Sequence, residues 1–247
     1  MTELVAAQLY RAPFENVSKV YYQHHQGLRG LPSLEQYLDG IEQHHFGGTC
    51  YVNNFHLNGL LNHLGYAAHL CGADMNRPDV HLVNIVQVEG REYLVDVGYG
   101  APFDRPLPRD LTDAYVITCG RDQYILQPRD ERGRSRLDLV RNGQHKHGYD
   151  INPTPRHIDE FQGVIQHSYR AEATFMNTLL IARFFPRRSL VVHNFTVIEA
   201  EGTHATSRVL ASDAELAAFV AQQMEMPRDI VQDVIAHLGG LHGDAWG

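Results

Sequence analysis

The sequence predicts an α+β fold: helices first, then an antiparallel sheet or barrel, then helices again. Three features of the pattern predict it. Apolar residues recur at helical spacing through residues 1–65, the period falls to two from about residue 66, and helical spacing returns after residue 212. No repeat or low-complexity tract interrupts this order. The chain therefore divides into a helical unit at 1–65, a β unit at 66–160 and a third unit at 161–247.

Within the first unit, Pro32 followed by Ser33-x-x-Gln36 is a capping box, and Leu34, Tyr37, Leu38 and Ile41 follow at i, i+3, i+4 and i+7. A second helix starts at Thr49 or Cys50, carries Tyr51, Phe55, Leu57, Leu60, Leu61 and Leu64, and stops at Gly65. The runs 79–88 and 92–100 are rich in β-formers, and Glu89-Gly90-Arg91 between them signals a hairpin. Further strands are expected at 114–119, 123–128, 189–200 and 205–210. Residues 128–158, polar and rich in Arg, Gly and Pro, read as irregular. Helices return at 212–224, with Ser212 or Asp213 as cap, and at 228–238.

Composition narrows the function. The 247 residues are 43% hydrophobic and 20% charged, an ordinary globular balance. The formal charge is −8 with Arg and Lys scattered, so no basic stripe points to nucleic acid or an anionic membrane. No leading charged-then-apolar segment and no long apolar run occurs, which argues against secretion and membrane spanning. Three cysteines, an odd number without short spacing, suit the reduced thiols of a cytoplasmic protein. The 16 histidines form neither a Cys-x-x-Cys nor a His-Glu-x-x-His pattern, so no metal site is expected.

The stretch "HFGGTCYVNN" at 45–54 places Cys50 after a Gly-Gly pair, where a helix begins. Cys50 is either a small buried hydrophobe or a nucleophile. In the second case the glycines let backbone N–H groups converge, the helix dipole favours the thiolate, and the same N–H groups form an oxyanion hole. Such a nucleophile needs a base, and the base needs a holder. His81 lies in one expected strand and Asp96 in the next, amid Leu94, Val95 and Val97. An even-numbered turn at Glu89-Gly90 puts His81 and Asp96 on one sheet face; a one-residue shift separates them and leaves each satisfied locally.

Pro13-Phe14-Glu15-Asn16, Gly47-Gly48-Thr49-Cys50, His81 and Asp96-Val97-Gly98-Tyr99-Gly100 resemble, in that order, the arylamine N-acetyltransferase family. Its signatures are Pro-Phe-Glu-Asn, Arg-Gly-Gly-x-Cys-x-Glu-x-Asn, a strand His and Asp-Val-Gly-Phe-Gly. The interval of 15 residues from His81 to Asp96 fits, "SYRAEATFMNTLLIARFF" also looks like a family segment, and the likeness runs from about residue 5 to 210. It implies a helical bundle, a β-barrel and an α/β lid around a papain-like or transglutaminase-like cysteine core. It further implies a ping-pong reaction: Cys50 takes an acetyl group from acetyl-coenzyme A, His81 moves the proton, Asp96 orients His81, and an arylamine, hydrazine or hydroxyarylamine then attacks the thioester. Phe14, Tyr99 and Phe175 match aromatic positions near the acceptor pocket, with Gly100 beside Tyr99; core packing is the other reading of the aromatics.

The sequence departs from the pattern in four places. Phe46 stands for the family Arg and Val52 for the family Glu, which reads as an ion pair replaced by apolar packing. Tyr99 stands for Phe, and with Met1 close before Pro13 the family's first helix is expected to be shortened or absent. A biosynthetic amide synthase fed by a carrier-bound thioester, a thiol hydrolase or peptidase, and a non-catalytic relative that kept the fold remain alternatives.

Overall fold

Four helices and one short strand make up the first 65 residues: α1 at Thr2–Arg11, β1 at Phe14–Glu15, α2 at Val17–Gln26, α3 at Leu34–His44 and α4 at Cys50–His63. The computed structural model describes residues 1–241; the end of the third unit, 242–247, lies outside the described residues. A first helix is therefore present, at Thr2–Arg11. The capping box of α3 forms as the sequence requires, with the Ser33 hydroxyl accepting from Gln36 N and the Gln36 side chain accepting from Ser33 N. Its expected apolar stripe does not all face inward. Tyr37 is buried, but Leu34 and Leu38 are exposed, because the helix packs through Gly40, which lies tight against Tyr22 and Phe46.

Eight strands follow: β2 at Ala67–Asp74, β3 at His81–Val88, β4 at Arg91–Val95, β5 at Leu107–Pro108, β6 at Tyr115–Cys119, β7 at Asp122–Leu126, β8 at Ser135–Arg141 and β9 at Gln144–Ile151. They pair antiparallel in the order β5-β4-β3-β2-β9-β8-β7-β6 and curl into a nearly closed barrel. Cys71, Val83, Leu94, Phe103, Leu137 and Tyr149 fill its interior. The irregular stretch expected at 128–158 is a correction: it contains β8 and β9. Asn142-Gly143 joins them with both residues at positive φ, 52° and 74°, the conformation of a two-residue hairpin turn. The polar alternation with Ser135, Leu137 and Leu139 inward is a half-buried strand, which its charged outward residues disguise.

The remaining elements are a 3₁₀ turn at Ile158–Phe161, α5 at Gln162–His167, a 3₁₀ turn at Thr174–Met176, β10 at Leu180–Phe184, β11 at Arg188–His193, β12 at Thr196–Glu201, β13 at His204–Val209, α6 at Asp213–Met224 and α7 at Arg228–His237. The single strand expected at 189–200 is two, β11 and β12, turned at Asn194, whose φ is 48°. An apolar run buried on both sides of a tight turn shows no break in the sequence. The five strands β10 to β13 and β1 form a second antiparallel sheet, ordered β1-β10-β11-β12-β13, so residues 14–15 pair with strand residues 181–182.

Three cores result. One fills the barrel, and a second packs α2, α6 and α7 on the five-stranded sheet through Val17, Val20, Leu190, Val220 and Val231. The third joins α1, α4, the barrel wall and the segment around α5 through Leu9, Leu57, Leu61, Leu82, Val86 and Phe161. Each such buried side chain contributes about 1.5–3 kcal/mol, against roughly 0–1 kcal/mol for an exposed ion pair. Apolar packing of α4 on β3 therefore fixes where Cys50 sits.

Candidate active site

Cys50 is the first residue of α4, with Thr49 at the cap. The Gly-Gly pair before it is explained by close approach. A Cβ on Gly47 would lie 2.0 Å from the Pro13 carbonyl oxygen, and one on Gly48 would lie 2.6 Å from the Val52 side chain. Gly48 N donates to Pro13 O at 3.2 Å and Glu15 N donates to Gly48 O at 3.1 Å, so the segment before Cys50 runs against the Pro-Phe-Glu-Asn segment as a short ladder. The Glu15 carboxylate accepts from Gly47 N, Ser18 N and Ser18 Oγ at 3.1, 2.8 and 2.5 Å. Burial raises its pKa against these hydrogen bonds.

His81 opens β3 and Asp96 directly follows the last residue of β4, outside the paired strand that the sequence suggested for 92–100. The hairpin turn is Glu89-Gly90, with Val88 paired to Arg91 and Asn84 to Val95. This even turn sets the parity that puts both side chains on one face, and His81 Nε2 meets Asp96 Oδ2 at 2.8 Å. The Asp96 carboxylate is saturated: Oδ2 also accepts from the Tyr149 hydroxyl at 2.6 Å, while Oδ1 accepts from Asn54 Nδ2 at 2.8 Å and Gly98 N at 2.9 Å. Both groups are almost fully buried, His81 at 2% and Asp96 at 1% exposure. Burial opposes each charge, yet the pair prevails. The Asp96 pKa is lowered by the His81 charge and the donors around it, and the His81 pKa is raised to about 10 by Asp96, with Cys50 adding through a hydrogen bond and its charge.

Asn54, one turn after Cys50 on α4, completes the assembly. It donates to Leu82 O at 2.6 Å as well as to Asp96, and accepts from Val97 N at 3.0 Å. Gly98 lets that strand end reach α4, since a Cβ there would lie 2.6 Å from Cys50 Cα. Neither Asn54 as a holder of Asp96 nor Tyr149 is readable from the sequence. The Asn142-Gly143 turn would have revealed β9, but nothing in its composition says that the Tyr149 hydroxyl meets a carboxylate.

Cys50 lines a cavity of about 890 Å³ together with Lys19, Tyr51, His147, Ser168 and Phe175. The other residues expected around a substrate divide. Phe14, Tyr99 and Gly100 line a separate cavity of about 110 Å³, although the Phe14 ring meets Phe175 edge-on at 5.7 Å. The Tyr99 hydroxyl lies 2.6 Å from His147 Nδ1, and the Tyr99 ring lies 5.7 Å from His81. Among the described residues no cluster of three or more His, Cys, Asp or Glu side chains could hold a metal ion, and no helix is long and apolar enough to cross a membrane.

A family model described as N-acetyltransferase matches residues 1–231. The chain belongs to the arylamine N-acetyltransferase family. Arylamine N-acetyltransferase 2 of Mus musculus is 27% identical over 191 residues, 66% of this chain and 63% of that protein, so the chain matches less than two thirds of that relative's length. The arylamine acetyltransferase structure of Mycobacterium smegmatis superposes with a TM-score of 0.80 at 20% identity, covering 98% of this chain and 91% of that one. The Mycobacterium marinum arylamine N-acetyltransferase, solved in complex with CoA, gives a TM-score of 0.77 at 20% identity, over 94% of this chain and 90% of that one. Both likenesses establish the fold. Phe46 and Val52, which stand where the arylamine N-acetyltransferase signature has Arg and Glu, are both buried. Phe46 packs with Tyr22 under the five-stranded sheet, whereas Val52 packs with Ala12 and Tyr37 in a small cluster of its own.

Proposed function

We propose that this chain is an acetyl-coenzyme A-dependent N-acetyltransferase for arylamines, hydrazines or hydroxyarylamines, with Cys50 carrying the acetyl group between donor and acceptor. The observation that carries this reading is the buried His81–Asp96 pair at 2.8 Å, with Cys50, whose charge acts on His81, at the head of a helix and beside a large cavity. The family, its arylamine N-acetyltransferase members and the CoA complex of one of them support the same chemistry. In this reading residues 1–65 carry the nucleophile, 66–160 form the barrel and 161–247 form the lid.

Asp96 holds His81 protonated well above neutrality, so the imidazolium stabilises the Cys50 sulfur in the thiolate form that attacks. The thiolate attacks the acetyl carbonyl carbon of the donor, and the first N–H groups of α4, which have no intrahelical acceptor, stabilise the oxyanion. The bond to the coenzyme A sulfur breaks, and that sulfur takes the proton from His81. The acceptor amine then attacks the thioester and gives a proton to His81. The carbon–sulfur bond to Cys50 breaks, the amide leaves, and the thiolate–imidazolium pair is restored.

The test is intact mass after incubation with acetyl-coenzyme A. One acetyl group per chain on Cys50, discharged by an aromatic amine or hydrazide and missing in Cys50→Ser, is the expected result. Coenzyme A release with no adduct would mean hydrolysis. No release with acetyl-coenzyme A would overturn the proposal and favour a carrier-fed or non-catalytic protein.

A further inference from the structure

Lys19 is a charged side chain in the Cys50 cavity that the acyl-transfer scheme does not use; of the other cations lining it, Arg136 pairs with Asp138 and Asp150, and Arg77 lies 2.9 Å from His167 Nε2. It sits on the buried side of α2 at 8% exposure and lines the same cavity as Cys50. Its Nζ donates to Ser168 Oγ at 2.7 Å and stands 3.5 Å from the centroid of the Tyr169 ring. Both partners are fixed: Ser168 Oγ donates to Ile165 O at 2.6 Å, and the Tyr169 hydroxyl donates to Gly30 O at 2.6 Å. Because the Ser168 proton is committed to Ile165, its oxygen can only accept from Lys19. An ammonium has three donors, and one hydroxyl and one ring face leave it short of partners.

Among the described residues no carboxylate pairs with Lys19. The acid one turn before it, Glu15, is occupied by Ser18 and Gly47. Burial of the unpaired charge lowers the Lys19 pKa to about 7, opposed by the charge of Cys50. A buried ammonium without a carboxylate partner is costly, and this one lines the reaction cavity. A ring that holds the cation and a hydroxyl that aims it are a ready seat for an incoming anion.

We propose that Lys19 is the anion-recognising group of the acyl-transfer cavity, and that the substrate this chain prefers carries a carboxylate that pairs with Lys19 while its reacting carbon or nitrogen is at Cys50. This rests on the acyl-transfer reading above. A carboxylate could arrive on the acyl group of the donor, as in malonyl- or succinyl-coenzyme A, or on the acceptor, as in an aminobenzoate. The chemistry that Lys19 reads is the same in both cases.

The test compares matched substrates in the full chain. Donors are succinyl- against butyryl-coenzyme A, read as the rate of Cys50 acylation by intact mass. Acceptors are 4-aminobenzoate against 4-aminobenzamide, read as the rate of discharge of the preloaded thioester. One of the two pairs should show a preference of roughly 10- to 100-fold for the carboxylate, the size of a charge-assisted hydrogen bond. That pair names the carrier of the anion. In Lys19→Met the ratio should collapse toward unity, and in Lys19→Arg, which keeps the charge, a preference should remain. Wild-type protein that acylates Cys50 but shows no carboxylate preference in either pair overturns the Lys19 proposal and leaves the transfer reading standing. A Lys19→Met protein that loses carboxylate and neutral substrates in equal proportion also overturns it, since Lys19 would then act on the reaction or the fold rather than on the anion. Wild-type protein that fails to acylate with any donor refutes the transfer reading itself.

Discussion

Asp96→Asn is expected to slow Cys50 acylation by about 10³- to 10⁴-fold and to destabilise the fold by roughly 3–5 kcal/mol, as removal of one partner from a buried charge pair does. The carboxylate accepts four hydrogen bonds, from His81, Tyr149, Asn54 and Gly98. An amide offers one oxygen and turns its NH₂ toward groups that are themselves donors. His81 would stay buried at 2% exposure with no anion to hold its proton. The pH dependence follows from the signs of the two shifts. The Asp96 pKa is lowered, so its contribution is present above the ordinary carboxylate range, about 4, and is lost as pH falls through the folded value. The His81 pKa is raised to about 10, so its contribution is complete below the unfolded histidine value and fades as pH rises toward 10. Denaturant unfolding of wild type and Asp96→Asn should therefore differ most between about pH 4 and 6.5, with the gap closing toward pH 10. A gap independent of pH would contradict the charge-pair account.

His81→Ala should lose at least about 10³-fold in Cys50 acylation near neutral pH and recover part of it at alkaline pH, where thiolate forms without a base. The measurement is single-turnover acylation, followed by intact mass from pH 6 to 10. The imidazole both takes the thiol proton and returns it to the leaving sulfur, so alkaline rescue restores the first role and not the second. Normal acylation of His81→Ala at pH 7 would remove His81 from the mechanism.

Much of this site was legible because short-range rules govern it. The Ser33 box, the Glu89-Gly90 turn and the helix that begins at Cys50 each depend on a few neighbouring residues, and the parity of His81 and Asp96 follows from one two-residue turn. What failed to read depends on distant partners. The strands at Ser135–Arg141 and Gln144–Ile151 hide behind charged outward positions, and Tyr149 becomes a donor to Asp96 only after β9 closes on the barrel. Leu34 and Leu38 keep helical spacing yet face outward, because α3 is docked through Gly40. Lys19 reads as an ordinary surface lysine until the segment at Ser168–Tyr169, some 150 residues later, is laid over it.

Nitrogen NMR of the His81 ring, titrated from pH 5 to 11 and assigned against His81→Ala, tests the ionised His81–Asp96 pair behind Cys50 most directly. The account predicts an imidazolium that keeps its proton through neutrality and releases it near pH 10. A His81 ring that titrates near 6.5, as a free histidine does, would contradict it.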